Sequence, residues 1–100
     1  MARPRLELQT LLEGLAPHVY FQAPPNSQMQ YPCILYAREA SSVDHANNGL
    51  YRHAKRYQVT VIDRDPDNTL PDQVEELPLC AFVRFFPADE LNHWVFDLYF

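Results

Sequence analysis

Apolar residues recur along this chain in two rhythms, one of helices and one of strands. Near the start, Leu8, Leu11, Leu12 and Leu15 fall at i, i+3, i+4 and i+7, the stripe of one helix face. Pro4 opens that segment and Pro17 follows it, both tolerated places for proline, so a helix is predicted over 5–15. The stretch "HVYFQAPPN" is short and apolar and is stopped by Pro24 and Pro25; it reads as a strand or as an extended connector. "YPCILYARE" is rich in strand-forming residues. After a polar stretch ending in Asn48–Gly49, a turn signal, the segment from Leu50 to Asp63 alternates: Tyr57, Val59 and Val61 lie on one side, Gln58 and Thr60 on the other. Residues 31–63 are therefore predicted to form a hairpin with a long loop over 39–50.

The second half repeats the scheme. Leu70, Val74 and Leu77 form an apolar stripe between Thr69 and Pro78, predicting a helix over 69–77, with Thr69 and Asp72 resembling a capping box. "LCAFVRFF" and "NHWVFDLYF", joined by "PADEL", predict a final hairpin over 79–100. In the last strand Trp94, Phe96, Leu98 and Phe100 point one way, and His93, Val95, Asp97 and Tyr99 the other. In its partner, Cys80, Phe82 and Phe86 share one side, and Ala81, Val83 and Phe85 the other, with Arg84 the polar exception. The sum is an α+β fold in one domain spanning 1–100: a mainly antiparallel sheet of four to five strands with two helices packed on one face.

A chain of 100 residues has apolar content of 47% and a formal charge of −5. That balance is ordinary for a globular domain and offers no broad basic footprint for nucleic acid. No run of eighteen apolar residues predicts a membrane span, and the leucines of "MARPRLELQTLLEG" are too interrupted for a signal peptide. Cys33 and Cys80 sit inside apolar runs and are expected as reduced, buried thiols.

Candidate chemistry is sparse. "DRDPDN" (63–68) resembles the opening of a calcium loop, but Val74 stands where an EF-hand needs a carboxylate and proline occupies its fourth position. The plainer expectation is a strand-to-helix turn whose Asp and Asn side chains bond their own backbone. No serine lies in a nucleophile elbow, the two glycines cannot build a phosphate loop, and the histidines lack metal-ligand spacing. Neither an enzyme nor a cofactor or metal site is expected. Arg52, His53, Lys55 and Arg56, with Arg38 on the preceding strand, form one basic cluster. It reads as a solubilising hairpin tip, as a contact with a neighbouring subunit's acidic turn at Asp63 and Asp65, or as a nucleic-acid contact.

The last hairpin carries more apolar surface than two short helices can cover. Either the 18–25 segment folds over its second face, or other protein does, with Phe85 and Trp94 in the contact.

The stretch from 31 to 100 resembles the tail-completion or tail-terminator proteins of long-tailed bacteriophages, a family that includes head–tail joining and minor capsid proteins. The likeness is carried by "YPCILY", by "KRYQVTVIDRDPD", by a short helix ending near "LP" and by the closing "HWVFDLYF". The first thirty residues share only helical character. The resemblance implies a structural virion protein whose homo-hexameric ring caps the tail tube and meets both the tail-tube protein and a head-completion or connector protein. DNA would pass through without specific binding, no membrane would be involved, and the subunit would reside in the host cytoplasm before assembly into the virion. The family brings no catalytic residues. An acidic subunit suits a conduit, because Lys and Arg that neutralise phosphates would retain DNA. A ring needs one patch to meet a different patch on the next copy; Arg52 and Arg56 facing Asp63 and Asp65 would supply such a pair. The alternative is a non-catalytic soluble protein-binding or assembly-chaperone module.

Overall fold

The computed structural model describes residues 4–22, 29–39 and 55–100. Their elements are α1 (Arg5–Glu13), β1 (Val19–Phe21), β2 (Cys33–Arg38), β3 (Arg56–Asp63), α2 (Leu70–Glu75), β4 (Cys80–Ala88) and β5 (Leu91–Tyr99). The strands form a five-stranded sheet in the order β1-β2-β3-β5-β4. β1 runs parallel to β2, and the other neighbours are antiparallel. This is the α+β architecture expected from the sequence. Most of the 39–50 loop and positions 52–53 lie outside the described residues.

Strand alternation sets the faces. Register places Ile34 beside Val61, Tyr36 beside Val59, and Val59 beside Phe96. These side chains are all buried, and they share one core with Leu8 and Leu12 of α1 and Leu70 and Val74 of α2. Both helices therefore cover the same face of the sheet. Burying a side chain such as Phe96 or Leu98 contributes about 1.5–3 kcal/mol each. The stripe of α1 is narrower than its leucines predict: Leu8 and Leu12 are buried, while Leu11 is exposed. A polar clasp fixes this helix to the sheet. Arg5 donates to the Tyr36 hydroxyl at 2.9 Å, that hydroxyl donates to Gln9 Oε1, and the Arg5 guanidinium lies 4.2 Å from the Phe21 ring centre.

Two expectations are corrected here. The 18–25 segment was a candidate cover for the second face of the sheet, yet Val19–Phe21 joins the sheet edge as a parallel strand. The cause is backbone demand: Ile34 N donates to His18 O and Gln22 N to Tyr36 O, which extends the ladder. In addition, the alternation predicted for 79–86 fails beyond Phe82. A β-bulge falls between Phe82 and Arg84, so Arg84 pairs with Val95 and Phe85 with Trp94. The extra residue shifts the pleat by one. Phe85 thereby joins Phe82 on the helix-covered face, and Phe86 turns to the other face.

Candidate functional site

The acidic turn after β3 is held by its own side chains. Asp63 Oδ1 accepts from Arg64 N at 2.7 Å and Asp63 Oδ2 from Asn68 Nδ2 at 2.7 Å, while Asp65 Oδ1 accepts from Asp67 N at 2.9 Å. Asn92 Nδ2, reaching from β5, donates to the carbonyls of Asp63 and Arg64. The carboxylates of Asp63 and Asp65 thus shape a turn, as short polar side chains do when they bond nearby backbone. The expected capping box is absent. Thr69 makes no side-chain cap bond, and Asn68 Oδ1 accepts from Leu70 N at 2.8 Å instead.

At the other end of β3, Arg56 is gripped within its own chain. Its Nη2 lies 3.2 Å from Asp97 Oδ2, and its Nε lies 3.4 Å from Glu39 Oε1. The latter contact is an ion pair without hydrogen-bond alignment. Burial pushes the Glu39 carboxyl above its ordinary pKa; Arg56 opposes that shift and nearby Asp97 adds to it. Arg56 and Asp63 stand at opposite ends of the eight-residue β3, roughly 23 Å apart at about 3.3 Å per residue. Of the basic residues singled out in the sequence, Arg38 is exposed at the end of β2. Lys55 is half-buried, with backbone bonds to Phe100 in both directions.

Exposed apolar side chains occur on α1, where Leu6 is 66% exposed, and gather at the β4 edge of the sheet. Phe82, Val83 and Phe85 of β4 are 45%, 49% and 46% exposed. Phe85 packs on Trp94 with ring centres 5.4 Å apart, and Phe82 meets Phe96 edge-on at 5.5 Å. Between this edge and α2 lies a groove of about 450 Å³. Its lining joins the aromatic residues Phe82, Trp94 and Phe96 to the acidic residues Asp67, Asp72 and Glu75. The second face of the sheet differs from expectation. Cys33, Ile62 and Val95 on that face are buried, and Phe86 stacks on His93 at 4.7 Å, with the Arg84 guanidinium 5.3 Å from the Phe86 ring centre.

The thiols are unsuited to nucleophilic work. Burial, helped by Asp63, pushes Cys33 up to about 12, and burial with Glu75 and Asp97 pushes Cys80 up to about 11. Both stay protonated near neutrality, whereas the thiolate is the nucleophile. Among the described residues no group of three or more His, Cys, Asp or Glu side chains is placed to hold a metal ion, and no helix is long and apolar enough to cross a membrane.

Sequence reasoning chose Phe85 and Trp94, which do meet, but it missed the groove beside them. It also missed the Arg56–Asp97–Glu39 cluster, whose signal was available: Arg56 and Asp97 both belong to the side opposite the core-facing alternation. Comparison with protein-family models, with curated proteins and with solved structures finds no match to the chain.

Proposed function

We propose that this chain is a structural virion protein, a ring-forming tail-terminator or head–tail joining subunit that caps the tail tube and leaves a channel for DNA. The observation that carries the reading is the β4 edge. Three large apolar side chains stand exposed on an outermost strand, next to an aromatic groove. Edge strands left bare invite pairing with other chains, and natural proteins blunt them unless they are used. A subunit of a closed ring uses them. The sequence likeness over 31–100 and the net charge of −5 agree with a conduit that neither hydrolyses nor grips its cargo. A non-catalytic soluble protein-binding or assembly-chaperone module is the second reading, favoured by the small size of the groove, which suits one short segment of a partner.

Electron microscopy and native mass measurement of the purified chain, alone and with tail tubes, test this. Closed rings with a central hole, seated at tube ends, are expected. A one-to-one complex with a single partner and no ring on tubes would favour the module instead.

A further inference from the structure

Glu39 and Asp97 at one end of the sheet are engaged by Arg56, and Arg64 at the other lies over Tyr31; the remaining charges at the two ends differ in sign. One end of the sheet holds the acidic turn Asp63–Asp67 and, on the β4–β5 hairpin, Asp89 and Glu90; Asn92 opposite Asp63 fixes that these lie together. The other end holds Arg38, opposite Tyr57, and Lys55, bonded to Phe100. The remaining described cations are occupied. Arg5 is on Phe21 and Tyr36, Arg56 on Glu39 and Asp97, Arg64 over Tyr31 and Arg84 over Phe86. Arg38 and Lys55 form no side-chain hydrogen bond, ion pair or ring contact among the described residues. Their distance from the acidic end exceeds the screening length of about 8–10 Å at physiological salt, so the two ends do not neutralise each other within one copy.

We infer that copies of this chain associate head to tail, the Arg38 and Lys55 end of one copy docking on the groove between α2 and β4 of the next. The groove offers what a long cationic side chain requires. Asp67, Asp72 and Glu75 line it and supply negative charge, and the aromatic rings of Phe82 and Trp94 would receive the aliphatic stem and attract the cation. Such a contact joins two different patches, the kind that closes into a ring when the rotation permits. It also covers Phe82, nearly half exposed in the single copy. The inference rests on the subunit reading above but replaces the Arg56-to-Asp63 pairing, since Arg56 and Asp63 are engaged at home.

Trp94 is the chain's one tryptophan and lines the groove, so its fluorescence reports occupancy. Sedimentation velocity and Trp94 emission are followed from micromolar to millimolar protein. Wild type is expected to associate with a concentration-dependent emission shift, weakened when salt rises from 0.1 to 1 M and the screening length falls to about 3 Å. The R38E/K55E variant and the D72K/E75K variant should each weaken association at least about tenfold, and an equimolar mixture of the two should restore it to within about threefold. Circular dichroism matching wild type confirms that both variants fold. Association that ignores these reversals but is lost in V83P would mean edge-to-edge pairing of β4 and overturns the inference, as does a wild type monomeric at every concentration. Variants that fail here yet still seat as rings on tail tubes reject the contact while leaving the subunit reading intact. Absence of rings on tubes from wild type rejects that reading itself.

Discussion

The Arg56 guanidinium lies 3.2 Å from the Asp97 carboxylate across the β3–β5 ladder, and its Nε lies 3.4 Å from the Glu39 carboxylate. One cation thus holds two carboxylates where β2 ends and β3 begins. Because the ion pairs are partly exposed, solvent screens them, and Arg56→Ala is expected to cost about 1 kcal/mol at neutral pH.

The cluster also sets a pH dependence. Burial raises the folded-state pKa of Glu39 above its ordinary value. A carboxyl raised on folding binds its proton more tightly in the native state, so its contribution is complete at pH below the unfolded value and is lost as pH rises through the folded one. Glu39→Gln should therefore flatten the decline in stability as pH rises above the ordinary glutamate range. Arg56→Ala removes the opposing cation and should steepen that decline. Urea unfolding followed by Trp94 fluorescence at several pH values measures both; parallel profiles for wild type and Glu39→Gln would refute the account.

Asn68, not Thr69, closes the first turn of α2, accepting from Leu70 N while its amide donates to Asp63. Asn68→Ala should lose about 1–2 kcal/mol, the cost of a removed cap. Thr69→Ala should fall within about 0.5 kcal/mol of wild type. Equal effects from the two would restore the capping box that the sequence pattern implies.

The legible parts of the fold were those where one local rhythm decides. Tyr57, Val59 and Val61 alternate on β3 and point to the core, and Phe96, Leu98 and Phe100 do the same at the end of the chain. What could not be read arose from contacts between distant segments. The bulge at Val83 exists only relative to β5, since a strand apolar on both sides carries no internal mark of where its pleat slips. The groove combines a turn, a helix and two strands, and no short motif describes it. Leu11 matched the helical stripe yet lies exposed, because a short helix at the sheet margin buries a narrower face than its pattern offers.

Core and edge aromatics should respond differently to substitution. Phe96 is buried in the core that both helices share, and Phe96→Ala should cost about 3–5 kcal/mol. Phe85 is 46% exposed and touches Trp94 from outside. Phe85→Gln should change unfolding free energy by no more than about 1 kcal/mol, while shifting Trp94 emission because the ring neighbour is lost. A large stability loss in Phe85→Gln would mean that the β4 edge is part of the folding core and not a surface left for other protein.

The two-residue turn joining β4 and β5 is a place where local sequence and backbone disagree. Asp89 and Glu90 carry φ of 55° and 64°, the left-handed values that a type I′ hairpin loop requires at both centres. Asp tolerates this region through its short polar side chain, but Glu has no such relief, and a left-handed residue with a Cβ costs about 1–2 kcal/mol. Asn-Gly meets the same geometry without that strain. The D89N/E90G variant should therefore gain about 1 kcal/mol, seen as a higher urea midpoint with an unchanged slope, since the surface exposed on unfolding is the same. Because the turn lies at the acidic end, the same change removes two negative charges there, and any effect on self-association is separated by making the measurement at protein concentrations where both chains are monomeric. A lower midpoint for D89N/E90G would show that the acidic pair makes a native contact worth more than the strain it imposes.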